Sequence, residues 1–97
     1  IVYENDSVLA FNDINPQAPV HILIIPKIHI ATLNDLNKDH ERLLGELVLT
    51  AGTLAKQLGI SEDGYRTNFN CNEAGGQTVY HIHLHLLGGR SFSWPPG

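Results

Sequence analysis

Six of the 97 residues are histidine, and three of them stand at alternate positions in Tyr80-His81-Ile82-His83-Leu84-His85-Leu86-Leu87. Side chains alternate between the two faces of a strand, so this spacing puts His81, His83 and His85 on one face and Ile82, Leu84 and Leu86 on the other. Successive imidazoles would lie roughly 7 Å apart by strand rise. The apolar face can pack on a helix, but packing gives no reason for three titratable rings in a row. Imidazole changes charge near neutral pH and does acid–base, nucleophilic and metal-binding chemistry. Two uses compete. His-x-His on a strand suits zinc or copper, whereas a neutral imidazole can attack phosphorus while a neighbour manages the proton. The preceding Gly75-Gly76-Gln77-Thr78 favours the second, because such a turn offers backbone N–H groups, an amide and a hydroxyl to phosphate oxygens. A structural metal site has no need of an anion cradle, and three imidazoles would still lack a fourth ligand.

The elements that must carry these residues follow from apolar spacing and breakers. Ile1–Tyr3 and Val8–Asn12 read as a hairpin across Glu4-Asn5-Asp6-Ser7. Asn15-Pro16-Gln17-Ala18-Pro19 is a loop, and His21–Ile25 is a central strand ended by Pro26. Leu43, Leu44, Leu47, Val48, Ala51, Leu54, Ala55 and Leu58 recur at helical spacing, with Asn37 as the expected N-cap and Gly59 as the stop. Arg66–Asn70 and Thr78–Leu87 are expected as the fourth and fifth strands, separated by the Asn72–Gly76 loop. Five strands and one long helix predict an α+β fold, a single domain over 1–97 with the helix on one sheet face.

Composition narrows the partners. With 42% hydrophobic and 16% charged residues the chain is globular rather than disordered. Its charge of −4 and six scattered basic residues argue against a nucleic-acid polymer, which needs a basic stripe. A small phosphorylated ligand needs only a local pocket of donors. No segment is long and apolar enough for a membrane, and no leader pattern is visible. One cysteine, Cys71, fits a reducing compartment such as the cytoplasm. The opening residue Ile1 leads us to expect that a segment ahead of it is missing.

Gly75 through Arg90 resembles the histidine-triad (HIT) signature, in which histidines alternate with apolar residues. Phe11–His21, Ile24-Ile25-Pro26-Lys27-Ile28-His29-Ile30 and the Gly88-Gly89-Arg90 and Trp94-Pro95-Pro96-Gly97 segments are similar to the Hint branch, the histidine-triad nucleotide-binding proteins. The resemblance implies a HIT-like fold, a homodimer with a continuous ten-stranded sheet, and a purine nucleoside phosphoramidase. Such an enzyme cleaves adenosine 5′-phosphoramidate, and related aminoacyl-adenylates, to AMP. The alternatives are a dinucleoside polyphosphate hydrolase of the Fhit branch and a nucleotide-binding adaptor. Nucleotidyl transfer is disfavoured, because those relatives carry glutamine where this chain has His85.

Carried over by motif position, His83 resembles the nucleophile, and His85 resembles the residue contacting the transferred phosphate. Thr78 lies beside the scissile bond, and His81 and His21 are supporting members. Asp13 resembles the carboxylate on the ribose hydroxyls. Phe11, Ile14 and Leu23 resemble the walls around a purine base. Asn70, Gly76, Gln77 and Val79 resemble phosphate-side contacts. Each has a plainer reading: Asp13 a turn residue, Phe11 and Leu23 core residues, Asn70 a loop-entry residue. His29 reads as a plain strand-end histidine, His40 as solvated, and Trp94 as a core plug or a lid. Asn12 and Thr78 depart from the longer side chain and the serine common at those positions. No cofactor and no metal are expected. The Cys-x-x-Cys pair that binds zinc with histidines resembling His29 and His81 in some relatives has no counterpart here.

Overall fold

The computed structural model describes residues 1–97. Its strands are β1 (Tyr3–Glu4), β2 (Val8–Asn12), β3 (Val20–Pro26), β4 (Tyr65–Asn68) and β5 (Leu84–Gly88), and the helix α1 spans Glu41–Gln57. The sheet is antiparallel throughout, in the order β1-β2-β3-β5-β4. The expected α+β architecture is therefore the observed one. No helix is long and apolar enough to cross a membrane.

Alternation sorts the sheet into two faces. Val8, Ala10, Ile22, Ile24, Leu84 and Leu86 point to one side and pack with Leu47, Ala51, Leu54 and Ala55 of α1 and with Ile60. Phe11, His21, Leu23 and His85 are left on the other side. The register sets Leu23 opposite His85 and His21 opposite Leu87, so His21 and His85 are diagonal neighbours. Just past β2, the Asp13 N–H donates to the His21 carbonyl at 2.9 Å, which brings the Asp13 side chain to the same corner. The hydrophobic face thus fixes where the histidines stand.

Several expected boundaries shift. The first strand is Tyr3–Glu4 rather than Ile1–Tyr3, and the fourth is Tyr65–Asn68 rather than Arg66–Asn70. The fifth differs most: only Leu84–Gly88 pairs, and residues 78–83 run as bends and irregular backbone. The ladder with β3 stops at Leu84 although β3 runs on to Pro26, and the one outward backbone bond of residues 78–83 is Ile82 N–H to the Ile30 carbonyl, 2.8 Å. The expected alternation nevertheless persists there: His81, His83 and His85 line one cavity while Ile82, Leu84 and Leu86 are buried. Asn37 does cap, but it caps a 3-10 turn over Lys38–His40 that leads into α1. His40 is part of that cap, since its Nδ1 accepts from the Asn37 N–H at 3.1 Å, so the solvated reading of His40 is corrected. Val48 and Leu58 fall outside the buried arc of α1 and are 55% and 43% exposed. Gly59 ends the helix with φ +74°, a conformation that costs glycine little.

Candidate active site

A cavity of about 710 Å³ opens over the outer sheet face. Its floor is Phe11, Leu23 and Ile25 from β2 and β3, and one rim is the loop through Asp13, Ile14 and Gln17. The other rim is Gly76, Thr78 and Val79, and His21, His81, His83 and His85 converge between them. Eleven of the thirteen expected site residues line it. Asn70 does not; its Oδ1 accepts from the Asn68 amide at 3.0 Å. Gln77 does not either.

The cradle works differently from its expected form. Gln77 is buried, and its amide holds the loop together: Oε1 accepts from the Asn72 N–H (2.8 Å), while Nε2 donates to the Ala31 and Val79 carbonyls (2.8 and 3.1 Å). The backbone N–H groups of Gly76 and Gln77 are also used, on the Glu73 and Asn72 carbonyls at 3.0 Å each. The Gly-Gly-Gln segment therefore builds the turn. The N–H groups of the next two residues, Thr78 and Val79, have no backbone acceptor, and those residues line the cavity with the Thr78 hydroxyl beside them. Of the four expected phosphate-side residues here, Gly76 and Gln77 spend their N–H groups on the turn, while those of Thr78 and Val79 are left without a backbone acceptor.

The hydrogen bonds fix the proton on each ring. The His83 Nδ1–H donates to the His81 carbonyl at 2.8 Å, which leaves Nε2 as a bare lone pair in the cavity. The His81 Nε2–H donates to the Pro26 carbonyl at 2.8 Å, so its Nδ1 accepts from His29 Nδ1–H at 3.2 Å. The His29 and His81 rings stack with centroids 5.3 Å apart. His29 lies beyond the end of β3 and is a partner of the triad, not a plain strand-end residue.

A second chain begins at the Gln17 N–H, which can only donate; it bonds His21 Nδ1 at 3.0 Å. His21 must then carry its proton on Nε2 and donate to His85 Nδ1 at 2.9 Å. His85 is left with its own proton on Nε2, and that atom is buried without a protein partner. An unsatisfied buried donor costs about 1–3 kcal/mol, a cost that an incoming oxygen anion would remove. His85 is held neutral in agreement with this: its pKa is pushed down from 6.5 to about 4, first by burial and then by His83 and His21, with Asp13 pulling the other way.

Asp13 stands between the Asn15 backbone and the His21 ring. Oδ1 accepts from the Asn15 N–H at 2.9 Å as a turn residue, while Oδ2 stands 3.4 Å from His21 Nε2. Asp13, His21 and His85 bring three possible ligand atoms within 4.8 Å of one another and are the one group of three able to hold a metal. A shared proton already occupies the shortest of these contacts. A second hollow, about 670 Å³, lies between Gly64–Arg66 and Gly89–Phe92. It contains no histidine, and its arginines are engaged by backbone carbonyls.

A HIT domain family model matches residues 1–92. The chain belongs to the HIT domain family. This HIT domain is 60% identical over 90 residues to the purine nucleoside phosphoramidase of Escherichia coli K12, an alignment covering 93% of this chain and 76% of that protein. Its fold superposes on a HIT family hydrolase from Legionella pneumophila Philadelphia 1 with a TM-score of 0.96 and 60% identity, covering 98% of this chain and 85% of the other. A histidine triad nucleotide-binding protein from Candida albicans aligns at 31% identity and a TM-score of 0.78, over 96% of this chain and 71% of that one.

Sequence reasoning did not reach three polar groups of this HIT site: the Pro26 and His81 carbonyls and the Gln17 N–H. All belong to the backbone, where residue type leaves no trace. The partnership of His29 with His81 had a signal, in the histidine three residues after Pro26.

Proposed function

We propose that this HIT domain is a purine nucleoside phosphoramidase that cleaves the P–N bond of adenosine 5′-phosphoramidate-type substrates through a nucleotidyl-His83 intermediate. The observation that carries it is the pairing of opposite roles on adjacent imidazoles. His83 Nε2 is a lone pair with its other nitrogen tied to a carbonyl, and His85 Nε2–H is a buried donor without a partner.

In the first step His83 Nε2 forms a bond to phosphorus as the P–N bond breaks, and the amine leaves after gaining a proton. In the second, water displaces the imidazole, releasing AMP and a proton and restoring His83. His85 Nε2–H and the Thr78 and Val79 N–H groups bind the phosphoryl oxygens, where charge builds in the transition state. Thr78 flanks the leaving group. His81 supports the nucleophile through its carbonyl, and His21 supports His85. Phe11, Ile14 and Leu23 form the base walls, and Asp13 takes the ribose hydroxyls, for which one carboxylate is suited to a vicinal diol. Ile14, fully exposed here, is a wall that a purine would cover. Gly76, Gln77 and Asn70 act by shaping the loop. The 60% identity to a purine nucleoside phosphoramidase supports this substrate class.

The ligand we assign is a purine nucleotide and the working form a homodimer in the cytoplasm, extended through the free edge of β4 into a ten-stranded sheet. No metal takes part. The test is a comparison of kcat/KM for adenosine 5′-phosphoramidate and a diadenosine polyphosphate, with and without chelator. Preference for the phosphoramidate, unchanged by chelator, supports the reading; preference for the polyphosphate returns the chain to the Fhit type. Absence of turnover with intact AMP binding would make it an adaptor.

A further inference from the structure

The Gly88-Gly89-Arg90 segment, singled out in the sequence, has no part in the chemistry above, yet it grips the loop on which one proton chain depends. Arg90 Nε donates to the Gln17 carbonyl at 3.0 Å. Its guanidinium lies over the Phe92 ring, 4.2 Å from the centroid, and Nη1 donates to the Ser91 carbonyl at 3.0 Å. Gly89 has φ +85°, and a Cβ there would meet the Pro19 ring at 2.9 Å. The loop 15–19 is thus held at both Gln17 and Pro19 by the residues that follow β5.

We propose that Arg90 is a positioning residue: by holding the Gln17 carbonyl it restrains the backbone of that residue, keeps the Gln17 N–H on His21 Nδ1 and so keeps the His85 proton on Nε2, facing the phosphate. Without that N–H, His21 can carry its proton on Nδ1 and accept at Nε2. His85 Nδ1 must then hold the proton to keep the 2.9 Å bond, and His85 Nε2 becomes a lone pair aimed at a phosphoryl oxygen. Shifting two protons in this way turns an attractive contact into a repulsive one without moving a heavy atom. Asp13, 3.4 Å from His21 Nε2, leans toward the productive arrangement but is farther away, so losing Arg90 weakens the bias and does not abolish it.

The kcat readout rests on the phosphoramidase reading; the proton positions do not. Long-range ¹H–¹⁵N spectra of the intact protein at neutral pH should show Nε2–H on both His21 and His85. Arg90→Ala should lower kcat for adenosine phosphoramidate by about tenfold, the scale typical of an outer-shell positioning group, with KM changed by no more than about twofold and the His85 signal moved toward a mixture of tautomers. Arg90→Lys, which keeps a cationic donor, should recover most of both. Nδ1–H on His85 in the unmodified protein overturns the proposal, and so does an Arg90→Ala protein with unchanged tautomers, whatever its rate. If Arg90→Ala does not fold, the unmodified spectrum and Arg90→Lys decide by the same signals. If the unmodified protein does not turn over phosphoramidate, the functional reading fails while the tautomer comparison still decides the role of Arg90.

Discussion

At the scale of single residues, the site consists of imidazoles made unequal by what each nitrogen touches. His83→Ala removes the only imidazole lone pair that faces the cavity with its opposite nitrogen anchored. Turnover should fall to background, while AMP binding, measured calorimetrically, stays within a few-fold; retained turnover would remove His83 as the nucleophile. His85 supplies a pH signature. The unfolded chain takes up a proton there near 6.5 and the folded chain only near about 4, so folding expels it. Stability from this residue is full above about 6.5 and is lost as pH falls toward 4. Thermal midpoints recorded across that window should drop less steeply for His85→Asn than for the unmodified protein, and parallel curves would refute the assignment. The residue types were legible from spacing alone. Their ranking was not, because it depends on the carbonyls of His81 and Pro26, which any residue could offer, and on the N–H of Gln17, which any residue except proline could offer.

At the scale of elements, the sheet and helix were legible because burial writes itself into apolar periodicity. Ile22, Ile24, Leu84 and Leu86 alternate, and Leu47, Ala51, Leu54 and Ala55 recur at helical spacing. The Thr78–Leu87 strand was overextended because Tyr80 to Leu86 keeps an alternating pattern, whereas the ladders stop at Leu84 with β3 and at His85 with β4. Leu47→Ala, at a fully buried position, should cost about 2–5 kcal/mol in denaturant unfolding. Gly75→Ala should behave otherwise. A Cβ there would collide with the Cys71 carbonyl oxygen, and a backbone atom cannot swing aside as a side chain can. The cradle would have to open. AMP affinity is expected to fall at least about tenfold, with a smaller relative loss of core stability, and unchanged affinity would show that the loop does not hold the phosphate.

For the whole molecule, the antiparallel order leaves β4 at one edge with Tyr65 40% exposed; the Tyr65 hydroxyl reaches Gly52 of α1, one turn from Val48, which is 55% exposed. An unpaired edge beside exposed apolar side chains is a common place for a second copy to add. Sedimentation should give twice the chain mass, and Val48→Glu should shift it toward the monomer; a monomeric unmodified protein would refute the dimer. Composition had pointed to a globular domain with a small ligand, and the single cavity holding all four facing histidines fits that scale. One feature also bears on attempts to build such a site anew. The His83 proton is fixed by a carbonyl only two residues back, Nδ1 to His81, in a stretch outside the paired strand. Grafting His-x-His-x-His onto a regular strand of another scaffold would transplant the rings but lose the carbonyl, since strand carbonyls are spent on neighbouring strands. What a designer must copy is the frayed end of β5, with its bend and its free peptide groups.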